Sequence, residues 1–138
     1  MTRNEDANIH LTWAREAENQ KDYLRARIEY MKCVESLRQA GDTIELEETT
    51  KEYEDFVKRD PIFKVLISGL LPIIRSNSGI VQSEITKNAA STDWMALYNY
   101  NRPMAKEDIY YALYFADKFG IIRRVKKGKS YELYVNKE

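Results

Sequence analysis

Five cationic side chains lie close together near the carboxyl end of this 138-residue chain. They are Arg123, Arg124, Lys126, Lys127 and Lys129. Clustered Lys and Arg bind phosphate groups through charge-assisted hydrogen bonds. The alternative interpretation is a charged hairpin whose lysines discourage pairing with another strand edge. Of these two interpretations, we favour contact with phosphate. The helix and strands around the cluster must then place the five side chains at the surface.

The residue types that enzymes use are scarce. His10 and Cys33 are the sole histidine and cysteine, so a metal cluster or a Cys–His nucleophile would need both from one helical hairpin. Cys33 lies in an apolar stripe, His10 lies near the chain start, and Glu47 and Glu48 suit the solvated face of an acidic helix. Neither a GxxxxGK[ST] nor a GxGxxG phosphate loop occurs. We therefore predict no enzymatic activity, no metal site and no cofactor.

A helix and a hairpin are predicted to carry the basic cluster. The helix, residues 106–119, has apolar positions at i, i+3, i+4 and i+7, namely Ile109, Ala112, Leu113 and Ala116. Gly120 stands where a helix ends in a left-handed residue. Residues 121–125 and 131–135 alternate with a period of two, and the glycine-bearing loop 126–130 joins them as a hairpin.

This order of helix, glycine, strand, basic turn and strand resembles the second half of a winged helix-turn-helix domain. Residues 62–75 match the first helix of that family, Ile80 the short first strand, and residues 83–89 the second helix. The resemblance covers residues 61–138. It implies that the third helix enters the DNA major groove and that the hairpin is the wing.

The resemblance also assigns contact residues. Opposite its apolar face the third helix presents Lys106, Tyr110, Tyr111, Tyr114 and Lys118. In the family the first two turns approach base edges, and the matching positions here are Lys106, Asp108, Tyr110 and Tyr111. Together with the five wing cations, which would contact phosphates, these four are the predicted DNA-binding residues. Glu107 and Asp108 oppose phosphate, and the tyrosines could instead be buried against a second subunit.

Charge is divided along the chain although the total is zero. Residues 1–60 contain 10 Lys and Arg against 15 Asp and Glu, whereas residues 61–138 contain 12 against 7. A nucleic acid responds to the field of the domain that it meets. Residues 61–138, which contain the predicted hairpin, are therefore the half that would attract a nucleic acid.

Composition places the chain among globular proteins, because 43% hydrophobic residues can fill a core. No run approaches the roughly 20 apolar residues of a membrane helix, and the polar start lacks the order of a secretory signal. The lone Cys33 fits a reducing compartment. We expect a cytoplasmic protein without membrane contact.

Residues 1–60 are predicted to form three helices, with residues 1–8 frayed. The first spans about 8–20, the second 23–40 between an Asp22 cap and Gly41, and the third runs from 43 to before Asp60. The second carries the apolar stripe Ala26, Tyr30, Cys33, Val34 and Leu37. Candidate core positions of the third are Ile44, Leu46, Tyr53, Phe56 and Val57.

A pattern of small and aromatic residues spans the first two helices. It comprises Ala14, Ala17, Asp22, Tyr23, Ala26, Tyr30 and Val34. The pattern resembles a tetratricopeptide-type hairpin and equally the microtubule interacting and trafficking domain. No second copy occurs at a period of about 34 residues, so a single helical hairpin closed by a third helix is the better prediction.

Asp60 and Pro61 mark the boundary between the halves, with Asp60 as helix cap and Pro61 in the first helical position. No Gly/Ser-rich linker separates the halves, so we predict that they pack together. Pro72 should kink or shorten the helix that begins at Pro61.

Residues 90–103 depart from the winged-helix pattern, which commonly has a short turn there. The segment contains Trp94, Tyr98 and Tyr100. It is either an extra short helix at 92–98 or an exposed contact loop.

The sequence therefore predicts a mainly α protein with a small β-hairpin, in which an N-terminal three-helix bundle, residues 1–60, packs on a C-terminal winged helix, residues 61–138. The leading hypothesis is a DNA-binding transcriptional regulator whose partner is duplex DNA. The N-terminal helices, or the aromatic residues of segment 94–100, would bind a second copy or a partner protein. The alternative is a protein–protein adaptor that does not bind DNA.

Overall fold

The computed structural model describes residues 3–90 and 106–136. The chain divides into two compact units, residues 1–62 and residues 63–138. It is mainly helical and carries a small three-stranded antiparallel sheet in the second unit, which confirms the predicted fold class. The predicted packing of one half on the other stays a prediction, and each unit is described by itself.

The first helix, α1, spans Arg3–Asn19 and begins earlier than predicted. Ala7 explains the difference, because it is buried and packs in one cluster with Cys33 and Leu37. Acidic residues of the first turn, Glu5 and Asp6, also suit the positive end of the helix dipole. The prediction that the chain frays up to residue 8 is therefore wrong from Arg3 onward.

Helix α2 spans Tyr23–Ala40, as predicted. The Asp22 carboxylate accepts a hydrogen bond from the Arg25 backbone N–H at 3.3 Å, and so caps the helix start. Gly41 ends it at φ 73°, and its N–H donates to the Leu37 carbonyl oxygen at 3.1 Å. The predicted apolar stripe of α2 is buried along its whole length.

Helix α3 spans Thr43–Arg59, and the Asp42 side chain caps it by accepting from the Glu45 N–H at 3.0 Å. Phe56 and Val57 are fully buried. Ile44, predicted as core, is 71% exposed. That prediction is wrong because the buried side of the helix passes through Thr49 rather than through Ile44.

A polar network ties the three helices of the first unit together. Arg15 of α1 donates two hydrogen bonds to Glu52 of α3, at 2.8 and 2.7 Å. Arg59 of α3 donates two to Glu18 of α1, at 2.9 and 3.0 Å. The Tyr30 hydroxyl of α2, which has one proton to donate, lies 3.3 Å from a Glu52 carboxylate oxygen and 3.5 Å from one of Glu18. Both arginine pairs are bidentate, which is the geometry that fixes orientation best.

This network changes the ionisation of its members. The hydrogen bonds from Arg15 hold the pKa of Glu52 below its usual value of 4.5. Burial, reinforced by the negative charge of Glu52, raises the pKa of Tyr30 well above its usual value. The Tyr30 ring packs in parallel on Tyr53 at 5.7 Å and against Phe56 at 5.1 Å, between ring centres. Tyr30 is therefore a neutral hydrogen-bond donor inside the bundle.

Helix α4 spans Pro61–Ser76. The Asp60 carboxylate accepts from the Ile62 N–H at 2.9 Å, which confirms the predicted Asp60–Pro61 helix start. Pro72 lies on the exposed side, where water can satisfy the carbonyl that a proline leaves without its helical donor. It does not shorten the helix, contrary to one of the two predicted outcomes. No helix within residues 3–90 and 106–136 is both long and apolar enough to cross a membrane.

A three-stranded sheet, ordered β1-β3-β2, follows in the second unit. Strand β1 is Ile80–Val81, β2 is Ile122–Lys127 and β3 is Ser130–Val135. Ile80 lies in a short first strand, as predicted, and it pairs with Leu133 of the hairpin. The hairpin turn is tighter than the predicted loop, since Lys127 pairs directly with Ser130. Gly128, at φ 61°, provides the positive φ that a two-residue hairpin turn requires.

Two further helices complete the described part of the second unit. Helix α5 spans Gln82–Ala90 and buries Ile85. Helix α6 spans Lys106–Lys118. Beyond its end, Gly120 adopts φ 76° and the Ile121 N–H donates to the Ala116 carbonyl at 2.8 Å, which confirms the predicted glycine stop.

We predict that Glu52→Gln lowers the free energy of unfolding of the first unit by about 1 kcal/mol at pH 7, because it removes the charge of a partly exposed bidentate pair. The folded pKa of Glu52 is lowered, so its contribution is full above pH 4.5 and is lost as the pH falls through the folded pKa. Urea unfolding at pH 7 and at pH 3, followed by the NMR signals of residues 5–59, measures the difference. Glu47→Gln, an exposed position of the same helix, is the matched control. A loss that is as large at pH 3 as at pH 7 would contradict the assignment.

Candidate nucleic-acid interface

Helix α6 is buried along two stripes. The first is the predicted one, formed by Ile109, Ala112, Leu113 and Ala116. The second consists of Asp108, Tyr111 and Phe115, which lie at i, i+3 and i+7. Two buried stripes leave a narrow exposed face, so fewer side chains of this helix can meet a partner than the sequence predicts.

An aromatic cluster explains the second stripe. The Phe63 ring of α4 forms T-shaped pairs with Tyr111 and Phe119. The distances between ring centres are 6.0 Å and 5.9 Å. Phe115 lies against Tyr111 at 5.4 Å and against Phe119 at 5.7 Å. Edge-to-face pairs of this kind add stabilisation to the area that they bury. The cluster thus draws Tyr111 inward.

Two of the predicted DNA-binding residues are therefore not available at the surface. Asp108 is 0% exposed and Tyr111 is 8% exposed. The prediction placed Tyr111 opposite the apolar face because it used the stripe through Ile109 alone, and it took Asp108 from the family's contacts in the first two turns. The aromatic spacing from Tyr111 to Phe115 and Phe119 was the signal in the sequence that indicates the second stripe.

Four of the five exposed side chains of α6, all but Glu107, form a line at four-residue spacing. They are Lys106, Tyr110, Tyr114 and Lys118. Tyr110 is 42% exposed and Tyr114 is 48% exposed. Residues four apart on a helix lie one turn above each other, so the line runs along the whole helix. It includes Lys106 and Tyr110, two of the predicted contact residues.

The hairpin divides its cations between two faces. Residues paired directly across an antiparallel ladder share a face, and successive residues alternate. Buried Ile122 marks the inner face of β2, which also carries Arg124 and Lys126, and the structure places Arg124 against α6. Arg123 and Lys127 lie on the outer face, and Lys129 lies in the turn. The five predicted wing contacts therefore do not form one surface.

Arg124 is held inside the protein. Its guanidinium carbon lies 4.6 Å from the ring centre of Tyr131 and 5.6 Å from that of Tyr114. Its Nε is 3.5 Å from Asp117 Oδ2, and its backbone N–H donates to Asp117 Oδ1 at 3.2 Å. The side chain is 15% exposed. Arg124 thus ties the hairpin to α6, and its predicted role as a phosphate contact is a poor fit to this position.

The outer face of the hairpin has its own cation. The Arg123 guanidinium lies 4.9 Å from the ring centre of Tyr134, its partner across the ladder. The Tyr134 hydroxyl donates to Glu132 at 3.2 Å. Arg123 is exposed, but it faces away from α6. A ligand that contacts α6 therefore meets Lys126 and the turn before it meets Arg123.

The inner hairpin face and the last turns of α6 form one surface, which we term the helix–hairpin surface. It consists of Tyr114, Lys118, Lys126 and Tyr131, with Arg124 beneath it. Lys118 Nζ lies 5.9 Å from the ring centre of Tyr114. Lys126 pairs with Tyr131 across the ladder and is exposed. Lysines and tyrosine hydroxyls at one surface can donate hydrogen bonds to phosphate oxygens.

The first unit presents apolar side chains rather than a basic surface. Trp13 of α1 and Ile28 and Met31 of α2 are exposed.

The His10 imidazole hydrogen-bonds with the Glu29 carboxylate at 2.7 Å. Burial raises the pKa of the Cys33 thiol to about 11, so it is not a ready nucleophile. Within the described ranges, no three or more His, Cys, Asp or Glu side chains are grouped to hold a metal ion.

The predicted contact segment 90–103, with Trp94, Tyr98 and Tyr100, lies outside the described residues apart from Ala90. Its two interpretations, a short helix and a contact loop, stay open. The same holds for the prediction that segment 94–100 binds a second copy or a partner protein.

Comparison with protein-family models, with curated proteins and with solved structures finds no match to this chain. Its function is therefore inferred from the chemistry of the helix–hairpin surface and of the first unit.

We predict that Arg124→Lys destabilises the second unit by about 1 kcal/mol, because lysine keeps the charge but does not make the planar contact with two rings. Arg123→Lys is the matched control, since it makes the same change on the exposed outer face, where the guanidinium lies over one ring only and does not contact α6. Urea unfolding followed by the NMR signals of residues 122–135 measures both. Equal destabilisation by the two variants would show that Arg124 has no special role in joining the hairpin to α6.

Proposed function

We propose that this chain is a cytoplasmic DNA-binding protein of the winged-helix class, acting as a transcriptional regulator, and that α6 and the β2–β3 hairpin contact duplex DNA. The observation that carries the proposal is the convergence of exposed lysines and tyrosines from α6 and the hairpin on one side of the second unit. The element order, with α4, β1, α5, α6 and the hairpin in succession, supports the same class.

Electrostatics favour a polyanionic partner for this unit. Residues 61–138 carry five more basic than acidic side chains. Lys106, Lys118, Lys126 and Lys129 are exposed along α6 and the hairpin. Neutralising phosphates releases condensed counterions, and this release supplies most of the affinity of such a surface at low salt.

The dimensions also suit a duplex. An α-helix with its side chains is about 10–12 Å across, and the major groove is about 12 Å wide. The exposed line of α6 extends over its full 13 residues. With α6 in or along the groove, the hairpin would lie over the adjacent backbone, where Lys126 and Lys129 reach phosphates.

The first unit would serve association. One small DNA-binding unit covers only a short stretch of duplex, and regulators of this kind commonly act as dimers. We propose that α1 and α2 contribute to a homodimer or bind a partner protein, since Trp13, Ile28 and Met31 are exposed on them.

Replacing Lys126, Lys127 and Lys129 together by Gln should weaken binding to every DNA sequence, because phosphate contacts carry no base information. The slope of log K against log salt should become shallower by about 0.9 for each phosphate that the variant no longer neutralises. Fluorescence anisotropy of a labelled random duplex, titrated at low and at moderate salt, measures both quantities.

A triple variant that binds as the wild type does would remove the hairpin from the interface. Lys64→Gln is the matched control, because Lys64 is an exposed lysine of the same unit on α4 and lies outside the helix–hairpin surface. Absence of any binding by the wild type at low salt, where the phosphate contribution is strongest, would contradict DNA binding altogether.

A second candidate function is a protein–protein adaptor. The exposed Ile28 and Met31 of α2, which are three residues apart and so share a helix face, favour it. In that case a partner from a pull-down should survive nuclease treatment and should no longer be captured by the variant Met31→Lys. Lys32→Gln, at the neighbouring exposed position, is the control. A partner that nuclease releases would instead favour DNA binding.

A further inference from the structure

We infer that the helix–hairpin surface binds the phosphate backbone of duplex DNA and that this binding is independent of base sequence. The inference rests on the proposed function and deepens it. It moves the main DNA contact from the first two turns of α6 to the last two turns of that helix and the inner face of β2.

The start of α6 has little capacity to distinguish bases. Asp108 and Tyr111 are buried, which leaves Lys106, Glu107 and Tyr110 exposed in the first two turns. The carboxylate of Glu107 stands beside Lys106 and opposes a phosphate that approaches it. Tyr110 offers one hydroxyl, whereas base pairs are distinguished best by bidentate Arg, Lys, Asn or Gln contacts.

At the other end of α6 and in the adjoining hairpin, three cations, Lys118, Arg124 and Lys126, outnumber the carboxylate of Asp117, whose side chain is 36% exposed and pairs with Arg124. The ring of Tyr114 has two cations near it, with Arg124 Cζ at 5.6 Å and Lys118 Nζ at 5.9 Å from its centre. Lys126 stands two residues beyond Arg124 on the same face of β2. A phosphate at this place would meet two exposed lysines, Lys118 and Lys126, together with exposed Tyr114 and half-buried Tyr131.

The side chains of this surface fix position and affinity rather than sequence. A lysine ammonium is a compact point charge on a flexible stem, suited to phosphate. Arg124, which has the fork that matches guanine, is 15% exposed and engaged by Asp117 and two rings. Its charge contributes to the potential at the surface, while its guanidinium is held against Asp117 and the two rings. Contacts of this kind give affinity and salt dependence that are uniform across sequences.

The hairpin offers a matched pair of variants to locate the contact. Lys126→Gln and Lys127→Gln remove the same charge at adjacent exposed positions, but Lys126 lies on the inner face with Arg124 and Lys127 on the outer face. Lys118→Gln tests the helix side of the surface, and Lys64→Gln controls for net charge.

The experiment is fluorescence anisotropy of the full chain with three labelled duplexes of equal length, one A·T-rich, one G·C-rich and one random, each at several salt concentrations. We expect the three affinities to agree within about threefold, since each base pair read by a bidentate contact would add about tenfold. We expect Lys118→Gln and Lys126→Gln each to weaken binding to all three duplexes and to reduce the salt slope by about 0.9. Lys127→Gln and Lys64→Gln should change the slope less.

Equal effects of Lys126→Gln and Lys127→Gln would overturn the placement of the contact and leave DNA binding standing. More than a tenfold preference among the duplexes, or a preferred site obtained by selection from a random pool, would overturn sequence independence. Failure of the wild type to bind any duplex at low salt would overturn both this inference and the proposed function, so the two failures are distinguishable.

Discussion

The burial of α6 on two sides is the constraint on which the candidate site depends. The aliphatic stripe through Ile109 fills the centre of the second unit, and the aromatic stripe through Tyr111 and Phe115 packs on Phe63 of α4. A helix held in this way cannot rotate without breaking one of the two contacts. Its exposed line, from Lys106 to Lys118, is therefore fixed in direction, and the hairpin that follows Gly120 is placed beside its last turns.

Local signals in the sequence were sufficient for most of the fold. Asp22 and Asp60 cap helices where they were predicted to, and Gly41 and Gly120 end helices at positive φ. Each of these signals depends on residues a few positions apart, so a single sequence is sufficient to recognise it. Ile44 and the start of α1 were mispredicted because burial there depends on residues from other helices, such as Cys33 and Leu37 against Ala7.

The candidate site was less predictable because the burial of its residues also depends on contacts with residues distant in sequence. Residue type and spacing identified the helix, the hairpin and their charge, but not which charges the protein uses internally. Arg124 and Asp108 are charged residues that the structure buries or covers, and both lie beside apolar stripes. Period-two alternation already put Arg124 on the face of Ile122. The sequence did not reveal that Asp117, Tyr114 and Tyr131 surround this position. Their contacts with the guanidinium are what cover Arg124.

The two units also differ in how they use their cationic side chains. In the first, Arg15 and Arg59 direct their donors to Glu52 and Glu18, so partly exposed arginines of an acidic domain join its helices. In the second, Arg124 joins the hairpin to α6 through its ion pair with Asp117 and its contacts with two rings, while the lysines on the surface of α6 and the hairpin are exposed. Arginine, with a planar fork, suits fixed internal pairs, and lysine, with a flexible stem, suits a mobile chain of phosphates. Arg15, Arg59 and Arg124 are committed to contacts within the protein, whereas the exposed lysines of α6 and the hairpin suit a surface that attracts a polyanion without the rigid contacts that would select its sequence.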